Sequence, residues 1–145
     1  QRQMCIRDSC STAVAKVEDA LDLERLAVGD SLHMHLRTEL EANNVLYASH
    51  AKCIYDFNRE SSVHSKIKNA PNTSKARYIT EDVPYLFVPF CELADLCGVD
   101  VPIAKALVTI ASYYNDEDYM KTGRTLAKMG FNHWTKQEIL AFLES

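Results

Sequence analysis

The sequence predicts an all-α protein with a single helical domain, and three features lead to this prediction. Apolar residues recur at helical spacing through the first part of the chain. In the second part, proline and glycine residues mark where several short helices begin and end. Only one short run, Ile79–Val88, is predicted to be extended, so no sheet is expected beyond it.

Composition and charge narrow the class of protein. The chain has 145 residues, of which 47% are hydrophobic, enough for one domain with its own core. The net charge of −4 comes from acidic and basic residues mixed along the chain, without the basic face that a nucleic-acid partner requires. No apolar run approaches the roughly 18 residues of a membrane span, and no secretory signal is present. We therefore expect a cytoplasmic protein that binds neither nucleic acid nor membrane.

The cysteines and histidines do not predict a metal site. The sequence contains no C-x-x-C pair and no histidine at ligand spacing from a cysteine. We expect the five cysteines to be buried or half-buried thiols in a reducing compartment: Cys5, Cys10, Cys53, Cys91 and Cys97. The five histidines are scattered and are interpreted as surface or packed residues: His33, His35, His50, His64 and His133.

The first residues, Gln1–Ser9, are interpreted as a translated sequencing artefact. The letters MCIRD within them correspond to the reading frame ATG-TGT-ATA-AGA-GAC, which is the end of a transposon used to fragment DNA. On this interpretation the folded domain covers residues 10–145, and the natural protein began well upstream.

The first predicted helix starts at Ser11 or Thr12, either of which is a suitable N-cap, and runs to about His35. Its packing face is expected to consist of Val14, Val17, Leu21, Leu26, Val28, Leu32 and Leu36. Glu18, Asp22 and Arg25 are expected on its solvent-facing side. Three shorter helices are predicted in the middle of the chain, at Thr38–Asn43, at His50–Asn58 and near Ser62–Lys68.

Clear helix boundaries follow in the second half. Pro89 and Gly98 bound a helix over Phe90–Cys97, and Asp100 with Pro102 starts another that reaches about Tyr114. Three acidic residues at 116–118 begin a short helix that ends at Gly123, and Thr125 and Gly130 bracket a turn. Thr135 and Glu138 form a capping box that opens a last helix to Leu143, with Trp134 and Ile139 as its hydrophobic staple.

The segment Arg77–Phe90 joins the two helical halves and carries most of the chemistry. Pro84 and Pro89 disfavour helical backbone at the residues that precede them, which predicts an extended or irregular chain. Glu81 and Asp82, with Arg77 upstream, form a charged group that such a chain could direct into a cleft. The alternative is a solvated turn whose ion pair contributes little.

Three blocks of sequence resemble the helical domain of the octopine/nopaline (opine) dehydrogenase family. RYITEDVPY resembles the family signature RYxTEDVPYGLVP. TAVAKVEDALDLERLAVG, near the N-terminus, resembles TPSVARVxEALDxERLAVA, and DYMKTGRTLAKMGF, near the C-terminus, resembles DxxxEGRTLExLGL. The blocks occur in the family's order, and the resemblance extends over nearly all of Ser11–Ser145.

The resemblance implies an NAD(P)-dependent enzyme that reductively condenses an amino acid with a 2-oxo acid such as pyruvate. The family holds its cofactor in an N-terminal Rossmann domain and takes its acid/base histidine from an Asn…His-Pro motif. The four glycines here form no G-x-G-x-x-G turn, and no histidine precedes a proline. We therefore expect a C-terminal fragment that is inactive alone and needs the Rossmann domain as its partner. The resemblance leaves open the choice between NAD and NADP, the particular substrates and the oligomeric state.

Specific residues take roles by the same resemblance. Asp82 matches the aspartate that hydrogen-bonds the catalytic histidine, and Arg77 matches the arginine that reaches the cofactor pyrophosphate. Glu81, Tyr85 and Arg124 are expected in the wall of the substrate site, although the segment Gly123–Thr125 is equally consistent with a helix-capping loop. Leu86 replaces the usual glycine, so either the loop differs here or its backbone needs no positive φ.

Two other classes of protein fit parts of the pattern. A free-standing all-α interaction module would not need the Arg77–Asp82 segment. A dehydrogenase of the glycerol-3-phosphate or 6-phosphogluconate type, which also joins a Rossmann domain to a helical domain, would lack the three matched blocks.

Overall fold

The computed structural model describes residues 11–60 and 73–144, and all the regular structure in those ranges is helical. The helices are α1 (Thr12–Ser31), α2 (Glu39–Leu46), α3 (Ile54–Glu60), α4 (Arg77–Thr80), a π-helical turn (Val83–Phe87), α5 (Val88–Cys97), α6 (Pro102–Asn115), α7 (Tyr119–Thr122) and α8 (Lys136–Leu143). The predicted all-α fold is confirmed. The predictions for Gln1–Ser9, Cys5, Cys10, Ser62–Lys68 and His64 concern residues outside these ranges.

Helix α1 begins as predicted but ends earlier. The Ser11 hydroxyl accepts a hydrogen bond from the Val14 N–H at 3.2 Å, which is the expected N-cap. The helix stops at Ser31 instead of reaching His35, and His33 has a positive φ of 58°. The turn folds Leu36 back onto Gly29, where an added Cβ would lie only 2.5 Å from the Leu36 side chain. The missing side chain of Gly29 therefore provides the space for this reversal.

The packing face of α1 differs from the predicted one. Its buried residues are Ala15, Glu24, Val28 and Gly29, whereas Val14 and Val17 are 43% and 45% exposed. At this end of the helix the packing partner is α3, which meets α1 in a small cluster of Ala15, Ile54 and Phe57. Since α3 covers only one narrow strip, the two valines remain at the surface.

The main hydrophobic core lies between α1, the π-helical turn, α5 and α6. Its buried members are Val28, Leu32, Val83, Val88, Cys91, Ala94, Val101, Ala104, Val108, Ala111, Tyr119 and Ile139. Many of them are small, which lets the helices approach closely. The core therefore joins the first and second halves of the chain.

The two helices in the middle are displaced from their predicted positions. Helix α2 is opened by a capping box of Thr38 with Glu41 and continues to Leu46, beyond the predicted end at Asn43. Helix α3 begins at Ile54 instead of His50. The residues before it are held in a loop by Asn44, whose side-chain amide donates to the Ala51 carbonyl at 2.9 Å and accepts from the Ala51 N–H at 3.0 Å.

Most local boundary signals in the second half are confirmed, but Pro89 does not begin a helix, because α5 starts at Val88 and continues the π-helical turn. Helix α5 ends at Gly98, whose φ of 71° suits a residue without a side chain. The Thr135–Glu138 capping box opens α8, and Ile139 is buried while Trp134 packs against the main core. Asp118 caps the short α7, which ends at Gly123.

The prediction of an extended Ile79–Val88 is wrong, because this run is helical almost throughout. Val88 has φ −60° and ψ −56°, a helical conformation despite the proline that follows. The Val88 N–H donates to the Val83 carbonyl five residues back, and this π-helical turn widens the helix where the Pro89 ring would otherwise clash with the Tyr85 carbonyl. Val83 and Val88 are both buried in the main core, and their burial offsets the local preference.

Candidate functional site

The signature segment presents one side to the core and the other to the surface. Val83, Pro84 and Val88 are buried, whereas Tyr85 and Leu86 are 56% and 62% exposed. Leu86 is not among the residues with positive φ, so the backbone needs no unusual angle where the family usually has glycine. The π-helical turn therefore fixes the backbone of the segment and leaves Tyr85 and Leu86 accessible.

Arg77 pairs with Glu81 and not with Asp82. The Arg77 Nε lies 3.0 Å from the Glu81 Oε2, one helical turn away, and the two side chains are 80% and 55% exposed. An ion pair this exposed contributes no more than about 1 kcal/mol to stability, because water screens it. The guanidinium is thus readily available to another anion.

Asp82 is half-buried, in the helical turn just before Val83. Within the described residues its carboxylate makes no hydrogen bond and no ion pair. An ionised carboxylate can accept hydrogen bonds on both of its oxygens. Asp82 therefore has unused capacity to accept a hydrogen bond from a group outside the described part of the chain.

The segment Gly123–Thr125 packs directly against the signature segment. The Arg124 backbone N–H donates to the Pro84 carbonyl at 2.8 Å. Gly123 is buried so tightly that an added Cβ would lie 2.9 Å from the Pro84 oxygen and 3.0 Å from Val88 Cγ2. The structure thus brings the RYITEDVPY block and the DYMKTGRTLAKMGF block together, and it leaves the Arg124 side chain exposed next to them.

The same segment also caps helices, as the alternative interpretation expected. The Thr125 hydroxyl accepts from the Lys128 N–H at 3.2 Å, and the Lys128 ammonium donates to the Thr122 and Gly123 carbonyls, each at 2.8 Å. A cation at this position satisfies carbonyls left open at the end of α7.

Glu24 is a buried carboxylate that the sequence analysis did not single out. Its two oxygens accept hydrogen bonds from the Ile103 and Ala104 N–H groups at 2.7 and 2.9 Å, at the start of α6. Pro102 begins this helix as predicted, but the acceptor for the open amides is Glu24 and not Asp100, which is exposed. The available signal was that Val101, the N-cap residue, has no side-chain acceptor of its own.

An apolar cleft of about 320 Å³ opens between α1, the start of α2 and the π-helical turn. Its lining residues are Leu21, Asp22, Arg25, Glu39, Leu86, Phe87 and Phe90. The sequence does not predict this cleft, because the cleft combines three segments that are distant in sequence.

The sequence predicts that Asp22 and Arg25 face solvent. In the structure these two cleft residues instead form a fixed pair with each other. The Arg25 guanidinium donates to Asp22 Oδ1 at 2.6 and 2.8 Å, and the Asp22 side chain is only 11% exposed. Arg25 also donates to the Arg37 carbonyl at 2.6 Å, while Asp22 Oδ2 accepts from the Glu39 N–H at 2.8 Å. These bonds hold the start of α2 over α1.

Burial also raises the pKa of two glutamates near this pair. Desolvation and the nearby Asp22 charge raise the pKa of Glu39. Desolvation and the Glu39 charge raise the pKa of Glu18, although the Asn58 amide donates to its carboxylate at 3.0 Å. Both carboxyl groups therefore keep their proton to a higher pH than an unperturbed glutamate does.

The three described cysteines do not all match the expectation. Cys91 is fully buried, and desolvation raises the pKa of its thiol to about 11. Cys97 is half-buried, but Cys53 is exposed, because it lies in the loop that precedes α3. Residues 11–60 and 73–144 contain no group of three or more histidine, cysteine or acidic side chains that could hold a metal ion. In the same ranges no helix is long and apolar enough to cross a membrane.

Fold and site together define the chain as a helical domain that presents one signature segment, Arg77–Phe90, at its surface. A family model described as the alpha-helical domain of NAD/NADP octopine/nopaline dehydrogenase matches residues 1–115. The chain belongs to this family.

Several relatives are similar over most of this chain. The protein ocs of Agrobacterium vitis is 34% identical over 110 residues, which is 76% of this chain and 30% of that protein. Vitopine synthase of Allorhizobium ampelinum is 31% identical over 123 residues, or 85% of this chain and 34% of the synthase. An opine dehydrogenase of an Arthrobacter species is 26% identical over 137 residues, or 94% of this chain and 38% of that enzyme. The chain thus spans about a third of the length of these relatives.

Proposed function

We propose that this chain is the substrate-side helical domain of an NAD(P)-dependent opine dehydrogenase in which Asp82 orients the catalytic histidine. In this reaction the amine of an amino acid condenses with the carbonyl carbon of a 2-oxo acid such as pyruvate, and water is lost. The C=N bond is then reduced by a hydride and a proton. On this proposal the cofactor is held by a Rossmann domain upstream of this chain, and the histidine lies between the two domains of the complete enzyme.

The observation that carries the proposal is the unpaired carboxylate of Asp82 within the family's signature. A carboxylate that accepts the N–H of an imidazole fixes the tautomer of the ring and stabilises its protonated form. Such a carboxylate must have free lone pairs and must be held in place. Asp82 meets both conditions, since it lacks a partner within the described residues and lies beside Val83 and Pro84, which are buried.

Arg77 is the residue of this domain that fits a dinucleotide. Its guanidinium is 80% exposed and, within the described residues, is bonded only to Glu81, so an incoming pyrophosphate could replace that weak partner. When bound, the nicotinamide supplies the hydride. Arg77 would hold the pyrophosphate and help the two domains close, while Glu81, Tyr85 and Arg124 would form the wall of the substrate site.

The decisive experiment is Asp82→Asn in the complete enzyme. Asparagine keeps the size of the side chain but allows the wrong tautomer of the histidine and removes the charge that supports its protonated form. Turnover is expected to fall by about 10²–10⁴-fold while the enzyme stays folded. The pKa of the histidine should fall as well, so the limb of the pH–rate profile that it governs should move to lower pH.

Glu81→Gln provides the matched control, because Glu81 is the neighbouring carboxylate and pairs with Arg77 at the surface. It should reduce turnover by less than about 10-fold, since an exposed ion pair contributes little. If Asp82→Asn left both turnover and the pH profile intact, or if Glu81→Gln proved more damaging, Asp82 would not be the partner of the histidine.

A further inference from the structure

We propose that the apolar cleft beside Leu86 binds the side chain of the amino-acid substrate and selects an uncharged, apolar side chain. This inference rests on the proposed function and concerns the substrate class of the same site. It depends on the position of the cleft, on its lining and on the charges at its rim.

The position of the cleft suits a substrate that reacts near Asp82. Leu86 follows Asp82 by four residues across the π-helical turn, so the two residues lie about one helical turn apart. Leu86 is 62% exposed and forms part of the cleft wall. An amino acid whose α-amine reacts beside the Asp82–histidine pair would therefore project its side chain along Leu86 into the cleft.

The lining suits an apolar occupant of moderate size. Leucine and phenylalanine side chains from three elements of the fold line the cleft: Leu21, Leu86, Phe87 and Phe90. The volume of about 320 Å³ is at the lower end of the range for small-molecule sites. Polar groups contribute little of the surface that faces the cleft, so a charged side chain would lose its hydration without adequate compensation.

The charged rim disfavours an acidic side chain. The Arg25 guanidinium is already bonded to Asp22 and to the Arg37 carbonyl, so it is not free to neutralise an acidic side chain. Glu39 adds a second carboxylate to the lining, which would repel an acidic substrate. Leu86 stands where the family usually has glycine, so its side chain adds an apolar surface that a glycine cannot provide.

The test compares alanine, leucine, phenylalanine, arginine and glutamate as substrates of the complete enzyme at fixed pyruvate. Leucine or phenylalanine is expected to exceed alanine, arginine and glutamate in kcat/KM by about 10-fold or more. A preference for arginine or glutamate would overturn the inference while leaving the proposed function intact. Absence of turnover with every amino acid would overturn the proposed function and, with it, the inference.

Leu86→Asn tests whether this cleft causes the preference. The variant should lower kcat/KM for leucine by about 10-fold or more but for alanine by less than about 3-fold, because the methyl group of alanine does not reach the cleft. Leu46→Asn is the matched control: Leu46 is 73% exposed and lies outside the cleft, so both substrates should be unaffected. An equal loss with leucine and alanine in Leu86→Asn would assign the cleft to domain packing and overturn the inference.

Discussion

Glu24 shows how one side chain secures a helix that is far away in sequence. Its carboxylate bonds to two amides at the start of α6, one of which belongs to the buried Ala104. Glu24→Ala would leave both amides without an acceptor, at about 1–3 kcal/mol for each buried group. We expect the free energy of unfolding, measured by urea denaturation, to fall by roughly 2–4 kcal/mol.

Two further variants test whether the loss of stability comes from the cap that Glu24 provides to α6. Glu24→Gln keeps a carbonyl acceptor and should cost less than Glu24→Ala. Asp100→Ala removes the exposed carboxylate that the sequence suggested as part of the helix start, and it should change stability by no more than about 0.5 kcal/mol. If Asp100→Ala lowered the free energy of unfolding as much as Glu24→Ala does, Glu24 would not be the residue that caps α6.

Glu39 should make the stability of the fold depend on pH with a sign opposite to that of a paired carboxylate. Burial and the Asp22 charge raise its pKa in the folded state above 4.5, so the folded protein binds a proton more tightly than the unfolded chain does. Its ionisation therefore destabilises the fold as the pH rises through the folded-state pKa, and the destabilisation disappears at lower pH. Glu39→Gln should be more stable than the unmodified protein at pH near 7, with the difference vanishing near pH 4.

Urea denaturation of both proteins at the two pH values measures this effect. Glu60→Gln, at an exposed position outside the cleft, serves as the control and should show no comparable change with pH. A Glu39→Gln variant that is less stable at neutral pH would mean that the negative charge is neutralised in the folded protein.

Among the structural elements, the contact between the Gly123–Thr125 segment and the π-helical turn depends on a missing side chain. An added Cβ at Gly123 would lie 2.6 Å from the Tyr119 oxygen and 2.9 Å from the Pro84 oxygen, and both are backbone atoms that cannot easily move. Gly123→Ala should therefore destabilise the protein by about 1–3 kcal/mol, as overpacking does. Glycine-to-alanine changes at compatible sites usually stabilise, so the sign is diagnostic.

Thermal or urea unfolding measures the effect, and Lys121→Ala is a neighbouring control. Lys121 is exposed, so removing its side chain should change the stability of the protein little. If Gly123→Ala proved as stable as the unmodified protein, the tight approach of the two segments would not be required.

The elements also show which features were predictable. The Thr135–Glu138 box and the Gly98 stop each depend on residues within one helical turn, so the local sequence is sufficient to predict them. The π-helical turn was not predictable, because the burial of Val83 and Val88 in a core built from distant helices outweighs the local effect of the prolines. Glu24 and the cleft were not predictable for the same reason, because their parts are distant in sequence. The sequence pattern singled out Asp82 and Arg77 as charged residues, but their specific roles come only from the family resemblance.

At the scale of the whole molecule, the 145-residue chain is expected to be inactive alone. Among its described residues every regular element is helical, and it spans about a third of the length of its relatives. Incubation with NADH or NADPH, pyruvate and a panel of amino acids should show no cofactor oxidation above a blank without protein. Adding the separately produced Rossmann domain is the control. Turnover by the 145-residue chain alone would refute the proposal that the cofactor-binding fold and the catalytic histidine lie outside it.

The Glu24 contact also constrains the order in which the domain can form during synthesis. Glu24 bonds to residues 79 and 80 positions further along, so its carboxylate has none of these partners while the intervening chain is being made. At about 5–20 residues per second, a ribosome needs roughly 4–16 s to add those residues. The part of α1 around Glu24 can therefore complete its packing only after α6 has emerged, whereas the part around Ala15 can pack against α3 earlier.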